Sequence, residues 1–331
     1  MKIYRKISSA ALAALACIAC EKKGDVEEYA DSEPVTLEVV IPSAVTKVTS
    51  VGNEEAVSSY QIFVYSSDDS MLEAYTTSGG ESSSVKLKCT TGQKEIVVLA
   101  NAPDMKSYVS LASLKSAYSR LEHNDVGSLV MEGSTAVNLT ASSTVEIQLK
   151  RLVAKIRLKN VTLDFDSDAY SDMDFKILSA YLINVPADKK YLGTVSAAQG
   201  YGPTEWYNKL GYQSDDAYDS ILHDDINEVV DGEYSDEHVF YCYPNPYQTD
   251  DYSSVWSVRP TRLVVEAELG GVRYYYPVSL PELKQNTAYD VSLVVTRPGK
   301  TDVNDEVKKY DETFSIEIVD WADGSVVEEI L

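Results

Sequence analysis

Most of this chain reads as short stretches in which apolar and polar residues alternate, the period of a β-strand with one buried face. Val35, Leu37, Val39 and Ile41 share one parity, with Thr36, Glu38 and Val40 between them, and predict a strand. Further strands are expected at Ser59–Tyr65, Ser84–Lys88 and Glu95–Ala100. They are punctuated by Ser78-Gly79-Gly80 and Thr90-Thr91-Gly92 and closed by Asn101-Ala102-Pro103. In this half a helical period occurs only between Ser107 and Leu121, where Leu111, Leu114, Tyr118 and Leu121 fall on one face.

Thr144–Phe165 is an unusually long strand-like run. Val145, Ile147 and Leu149 share one parity, and Leu152, Ala154, Ile156 and Leu158 share the other. Strand side chains alternate strictly, so a change of parity near Lys150–Arg151 means a bulge or a crossing between two sheets. The boundary between an N-terminal domain (35–150) and a C-terminal domain (151–331) is placed there. The second half predicts strands at Ile177–Asn184, His238–Cys242, Thr261–Leu269, Val272–Ser279 and Ala288–Thr296, with a hairpin at Gly270-Gly271. Gly200–Asp236 is rich in Gly, Tyr, Asp and Asn, has no clear period, and reads as a long loop. Thr313–Leu331 begins with Phe314, Ile316 and Ile318 alternating with Ser315 and Glu317. It turns at Gly324 and ends in Val326, Val327, Ile330 and Leu331. The pattern as a whole predicts an all-β fold with few short helices.

The N-terminus departs from this pattern. Lys2, Arg5 and Lys6 precede the apolar run Ile7–Ala19, which ends in Ile18-Ala19-Cys20. A basic segment followed by about 13 apolar residues reads as a secretory signal, too short for a permanent bilayer span. A small residue before Cys is what lipoprotein signal peptidase requires, so residues 1–20 read as a lipoprotein signal peptide with Cys20 as the lipidated residue. Cys17 is the alternative. Glu21–Pro34 is acidic and poor in hydrophobics, and reads as a flexible tether from the lipid.

Composition narrows the function classes. The chain of 331 residues is 44% hydrophobic, which suits a folded protein. Its formal charge of −23 gives a self-repelling surface and argues against a nucleic-acid partner, because phosphate binding needs clustered Lys and Arg. Cys89 and Cys242 lack CxxC spacing and read as buried free thiols. Asp164, Asp166, Asp168, Asp172 and Asp174 suggest a calcium loop, but Ala169 and Phe175 stand where an EF-hand needs Gly and Glu. His123, His223 and His238 form no zinc-hydrolase motif, and no nucleophile-elbow, Walker or dinucleotide fingerprint occurs. No metal, cofactor or catalytic site is expected. The 24 tyrosines are led by Tyr274-Tyr275-Tyr276, read as core plus surface packing. Tyr201, Trp206, Tyr207, Tyr212 and Tyr218 lie in the loop-like stretch, where exposed rings could stack on sugars or meet a neighbouring subunit.

Several segments together resemble the fimbrillin family of Bacteroides-type pilins, the type V pilins, over almost the whole chain. They are the lipoprotein signal, Val97-Val98-Leu99-Ala100-Asn101-Ala102-Pro103, Arg151-Leu152-Val153-Ala154-Lys155-Ile156, Asn286-Thr287-Ala288-Tyr289-Asp290-Val291-Ser292-Leu293 and Ile318-Val319-Asp320-Trp321. The resemblance implies two transthyretin-like β-sandwich domains in tandem. It implies a pilus subunit, not an enzyme, that reaches the outer membrane as a lipoprotein. A trypsin-like protease, Arg-specific in the best-known systems, then removes the first strand, and the C-terminal strand of another subunit fills the vacated groove by β-augmentation. Here the displaced strand is expected to carry Val35, Leu37, Val39 and Ile41. The donor is expected to offer Phe314, Ile316 and Ile318, or Val326, Val327, Ile330 and Leu331, or both. The processing loop falls in Pro42–Glu55, with Lys47-Val48 at the matching site. Lys47 replaces the family's Arg, which calls for a broader protease or for no cleavage. The implied partners are other pilin subunits, the protease and a host or bacterial surface receptor. The alternative reading is a tip adhesin or glycan-binding surface lipoprotein that does not polymerise.

Overall fold

The computed structural model describes residues 32–42, 54–80, 83–199, 202–212, 219–250, 256–304, 313–321 and 326–327. From Glu33 onward the chain forms one compact unit. Its first half contains β1 (Pro34–Val40), β2 (Ser59–Ser66), β3 (Leu72–Gly79), β4 (Ser84–Thr90), β5 (Gly92–Ala100), α1 (Leu111–Ser116), β6 (Tyr118–Arg120), β7 (Met131–Leu139), β8 (Ser143–Glu146) and β9 (Lys150–Arg151). A three-stranded sheet, β4-β1-β8, stacks on a five-stranded sheet, β3-β2-β5-β7-β9. Leu37, Val39, Leu87 and Ile147 from the first sheet meet Ile62, Val64, Ile96 and Val98 from the second in one core. The opposite face of the larger sheet is also buried, by Phe63, Tyr65, Val97 and Leu99 under Leu114, Leu121 and Leu129. Burial on both faces explains why Ile96–Ala100 is continuously apolar and does not alternate.

The second half contains β10 (Ala154–Leu163), α2 (Asp168–Ser171), β11 (Phe175–Ile183), β12 (Val185–Pro186), β13 (Asp188–Lys190), β14 (Trp206–Tyr207), α3 (Asp219–Leu222), β15 (His223–Val230), β16 (Glu233–Tyr234), β17 (His238–Cys242), β18 (Arg262–Leu269), β19 (Val272–Ser279), β20 (Thr287–Val295), β21 (Thr313–Asp320) and β22 (Val326–Val327). A sheet in the order β16-β10-β20-β21-β22, with β17 also on β10, stacks on β15-β11-β18-β19. The expected all-β sandwich architecture is observed.

The two halves share one strand order. β4-β1-β8 corresponds to β17-β10-β20, with an antiparallel first pair and a parallel second pair in both. β3-β2-β5-β7 corresponds to β15-β11-β18-β19, antiparallel throughout. Thus β1 holds in the first half the central place that β10 holds in the second. The second half adds β21 and β22 beyond β20, and the corresponding flank of β8 has no strand partner among the described residues.

The parity change near Lys150–Arg151 is a crossing between sheets. β8 lies beside β1, β9 beside β7, and β10 enters the second half's sheet after a break at Leu152-Val153. The crossing segment passes close over β7. A Cβ at Gly133 would lie 2.4 Å from the Gln148 carbonyl oxygen and 2.8 Å from Ile147 Cγ2. Gly133→Ala is therefore expected to cost about 1–3 kcal/mol in a denaturant titration, because backbone cannot yield as a side chain can. The hairpin at Gly270-Gly271 forms with φ of 57° and 78°, the left-handed pair that glycine adopts without steric cost.

Two sequence expectations are corrected. The helix expected over Ser107–Leu121 is only Leu111–Ser116, capped at its start by the Ser110–Ser113 box. Ala117 is extended, and Tyr118–Arg120 pairs instead with Asp188–Lys190 from the second half. A distant partner thus takes backbone groups that a helix would satisfy locally. The stretch Gly200–Asp236 is not simply a loop, since His223–Val230 forms an edge strand on β11. Its polar sequence carries no alternation because most of its side chains face outward.

Candidate functional site

β1 is the central strand of its sheet, and its alternation translates directly into burial. Leu37 and Val39 are 0% exposed and Ile41 is 7% exposed, while Val35 packs half-buried against the same core. Pro34–Val40 pairs antiparallel with Thr90–Ser84, and Leu37–Val40 pairs parallel with Ser143–Glu146. Further bonds extend the pairing at both ends. Glu33 N–H donates to Thr91 Oγ1 (3.0 Å), Thr36 N–H to Ser142 Oγ (3.0 Å), Ile41 N–H to the Ser83 carbonyl (2.9 Å), and Ile147 N–H to the Val40 carbonyl (2.9 Å). Removing β1 would expose a groove walled by β4 and β8 and floored by β2, β5 and β7. Cys89 lies opposite Val35 in register and is buried in that core; burial, and then the nearby Glu73 carboxylate, push its thiol pKa up.

The C-terminal region divides into two parts. β21 lies between β20 and β22, pairing over Thr287–Val294. Ile316 is buried in the second half's core, Ile318 packs half-buried against it, and Phe314 stands opposite Leu293 in register. Among the described residues Val326 and Val327 form the outermost strand of this sheet and pair with Val319 and Ile318. Ile330 and Leu331 lie outside the described residues, as do the processing site Lys47-Val48 and the lipidation candidates Cys17 and Cys20.

A polar cluster unforeseen in the sequence joins these regions. The Glu54 carboxylate accepts from Lys155 Nζ (2.7 Å to Oε1), from Trp321 Nε1 (2.9 Å to Oε2) and from the Tyr241 hydroxyl. Arg151 Nε donates to the Glu54 carbonyl (3.2 Å), and its Nη2 lies 3.7 Å from Glu55 Oε1. The Arg151 guanidinium carbon sits 4.5 Å from the Trp321 ring centroid, and the Tyr241 ring stacks on the same indole at 5.9 Å. Asn286 Oδ1 accepts from the Arg151 backbone N–H (3.1 Å) and from its guanidinium (3.3 Å). Burial, and then the Glu54 charge, push the Tyr241 hydroxyl pKa well up. Burial lowers that of Arg151, opposed by Glu54 and Glu55. Asn101 reaches the same incoming segment, accepting from Ser58 N–H (2.9 Å) and donating to the Ala56 carbonyl (2.7 Å). Three of the segments that carried the family resemblance therefore meet at residues 54–58, and Asn286 of a fourth reaches them through Arg151. The available signal was that four motifs far apart in sequence each kept a charged, amide or indole side chain beside an apolar run.

The other candidates are quieter. Trp206 is buried against Trp256 (5.7 Å) and Tyr247 (6.4 Å), and Tyr212 stacks on His223 (4.3 Å), so these rings pack internally. Tyr207 is half-buried, and Tyr201 and Tyr218 lie outside the described residues. Tyr276 is core, with Tyr274 and Tyr275 half-buried. Among the described residues no group of three or more His, Cys, Asp or Glu is placed to hold a metal ion, and no helix is long and apolar enough to cross a membrane. Cys89 and Cys242 are free and buried.

An all-β sandwich protein whose first strand fills the centre of a groove is the class these observations define. Residues 35–157 match the family model of the major fimbrial subunit protein, FimA, so the fimbrillin resemblance is borne out over that span. Solved structures share the fold. A candidate cell adhesion protein of Bacteroides eggerthii is 16% identical, with 87% of this chain and 96% of that chain covered and a TM-score of 0.64. A fimbrilin (FimA) of Porphyromonas gingivalis is 16% identical, with 89% and 99% covered and a TM-score of 0.60. The tip fimbrial protein Mfa3 of Porphyromonas gingivalis, with a C-terminal truncation, is 14% identical, with 86% and 99% covered and a TM-score of 0.52. No protein of curated function matches the chain in sequence.

Proposed function

We propose that this chain is a structural fimbrial subunit, exported as an outer-membrane lipoprotein and polymerised at the cell surface by protease-triggered strand exchange. The observation that carries this reading is β1, a strand of the chain's N-terminal segment whose Leu37 and Val39 are fully buried and which has hydrogen-bonding neighbours on both sides. In this reading Cys20 (or Cys17) carries the lipid, and a trypsin-like protease cuts after Lys47. β1 then leaves with the tether. The tail beyond Trp321 of a second copy enters between β4 and β8, offering Val326, Val327, Ile330 and Leu331, while Phe314, Ile316 and Ile318 stay in the donor's own sheet. β-Augmentation restores the backbone bonds that β1 gave up. The assembled fimbrium presents the subunit for adhesion to host or bacterial surfaces.

Cys89 is a built-in reporter for the test. Cutting should create a new N-terminus at Val48 by mass spectrometry and yield laddered oligomers. A variant ending at Trp321 should be cut yet form no laddered oligomers. In that variant Cys89 should react with a maleimide at least about tenfold faster than in the uncut protein, because a buried thiol reacts only when solvent reaches it. Cys242, buried on β17 beside β10, should stay unreactive as a control. Assembly by the truncated variant, or an unreactive Cys89 after cutting, would overturn the reading.

A further inference from the structure

The Glu54 cluster lies between the two segments that strand exchange must move. Upstream of Glu54 the chain leads back to β1, and Trp321 directly follows β21, which ends at Asp320. One carboxylate collects an ammonium, an indole N–H and a phenol from β10, the end of β21 and β17. Charge-assisted bonds of this kind, sheltered from water, are stronger than surface ones. Arg151 stacks on the indole and binds the Glu54 carbonyl, so it holds both sides of the contact at once. The Glu54 and Lys155 side chains are only 12% and 10% exposed, so solvent competes weakly for them.

β21 needs such a fastening. Among the described residues its outer flank pairs with two, Val326 and Val327, against eight paired positions on its inner flank. Terminal strands fray unless tied down. The Trp321 indole, one residue past the end of the strand, is held by Glu54, 267 positions away in sequence.

We propose that the Glu54–Trp321 contact is a tail latch: while closed it keeps the C-terminal segment on its own subunit, and its opening frees that segment to reach a second copy. This rests on the strand-exchange reading above and adds a control point to it. Glu54 acts as a positioning residue for the tail, and Arg151 and Lys155 set the strength of the hold. Because Glu54 also lies in the segment joining β1 to β2, loss of β1 removes the covalent anchor upstream of Glu54 and loosens the latch in the same event. Assembly competence and tail release are then coupled within one subunit.

The test uses hydrogen exchange on the full chain, uncut, comparing wild type with Trp321→Phe and Glu54→Gln. Trp321→Phe removes the indole N–H while keeping an aromatic ring beneath Arg151. Both variants should raise amide exchange at Trp321, Val326 and Val327, where the tail leaves β21, by about tenfold, with Ser59–Ser66 unchanged as the folding control, since local opening precedes global unfolding. After cutting, both should assemble faster than wild type. Unchanged tail exchange in Trp321→Phe overturns the latch, as does faster exchange without faster assembly. Failure of cut wild type to assemble at all is a separate result, and it overturns strand exchange itself.

Discussion

Deleting residues 34–41 from the mature chain is expected to abolish the soluble, folded monomer, and a synthetic Pro34–Ile41 peptide added in trans is expected to restore it. Each fully buried Leu, Val or Ile contributes about 1.5–3 kcal/mol. Leu37, Val39 and Ile41 together therefore approach the 5–15 kcal/mol that holds a whole domain folded. Burial measured against an extended chain overstates the gain, but β4 and β8 also lose the strand between them. An unfilled groove of that kind presents unpaired edges to other chains, so aggregation is the expected fate of the deletion variant. Sedimentation and thermal unfolding with and without the peptide check this. Leu37→Asp in the peptide should abolish rescue, because a buried unpaired carboxylate is costly. A deletion variant that remains monomeric with unchanged Tm would show that the groove stands without its central strand, and the case for replacement would lose its driving force.

Lys189→Met is expected to be the most destabilising single substitution outside the groove, at about 3–5 kcal/mol. Lys189 Nζ lies 3.1 Å from Glu132 Oε1 and 3.0 Å from the Lys190 carbonyl, and the two side chains are only 1% and 7% exposed. Glu132 Oε2 also accepts the Leu192 N–H at 2.6 Å. The pair ties β7 of the first half to β13 of the second. Removing the lysine leaves a carboxylate buried without its counter-charge, whereas removing both charges leaves neither stranded. The double substitution Lys189→Met with Glu132→Gln should therefore recover much of the loss. Denaturant titrations of the four forms give the coupling directly. Equal stability of Lys189→Met and wild type would mean that the carboxylate finds water or another donor.

How much was legible beforehand follows from the range of each interaction. The alternation in Val35–Ile41 was readable because a strand's two faces are written at every second residue, and the structure buries the apolar parity of this one. The parity change at Lys150–Arg151 was readable for the same reason, although choosing a crossing over a bulge needed the neighbouring strands. The helix expected over Ser107–Leu121 stops short because Tyr118 and Leu121 keep helical spacing while their backbones pair with Lys190 and Ala187. The strand His223–Val230 left no periodic trace, since an edge strand with outward side chains is specified by the ladder it joins.

By itself the sequence determined the strand-forming segments, the tight glycine hairpin and the apolar character of both terminal regions, because these depend on neighbours within a few residues. Only the tertiary structure decided that β1 is central and β22 outermost, that the two halves repeat one strand order, and that Glu54, Arg151 and Trp321 meet. Those arrangements depend on groups 97 to 267 residues apart, and no local pattern encodes which distant partner a buried hydrogen-bonding group will find.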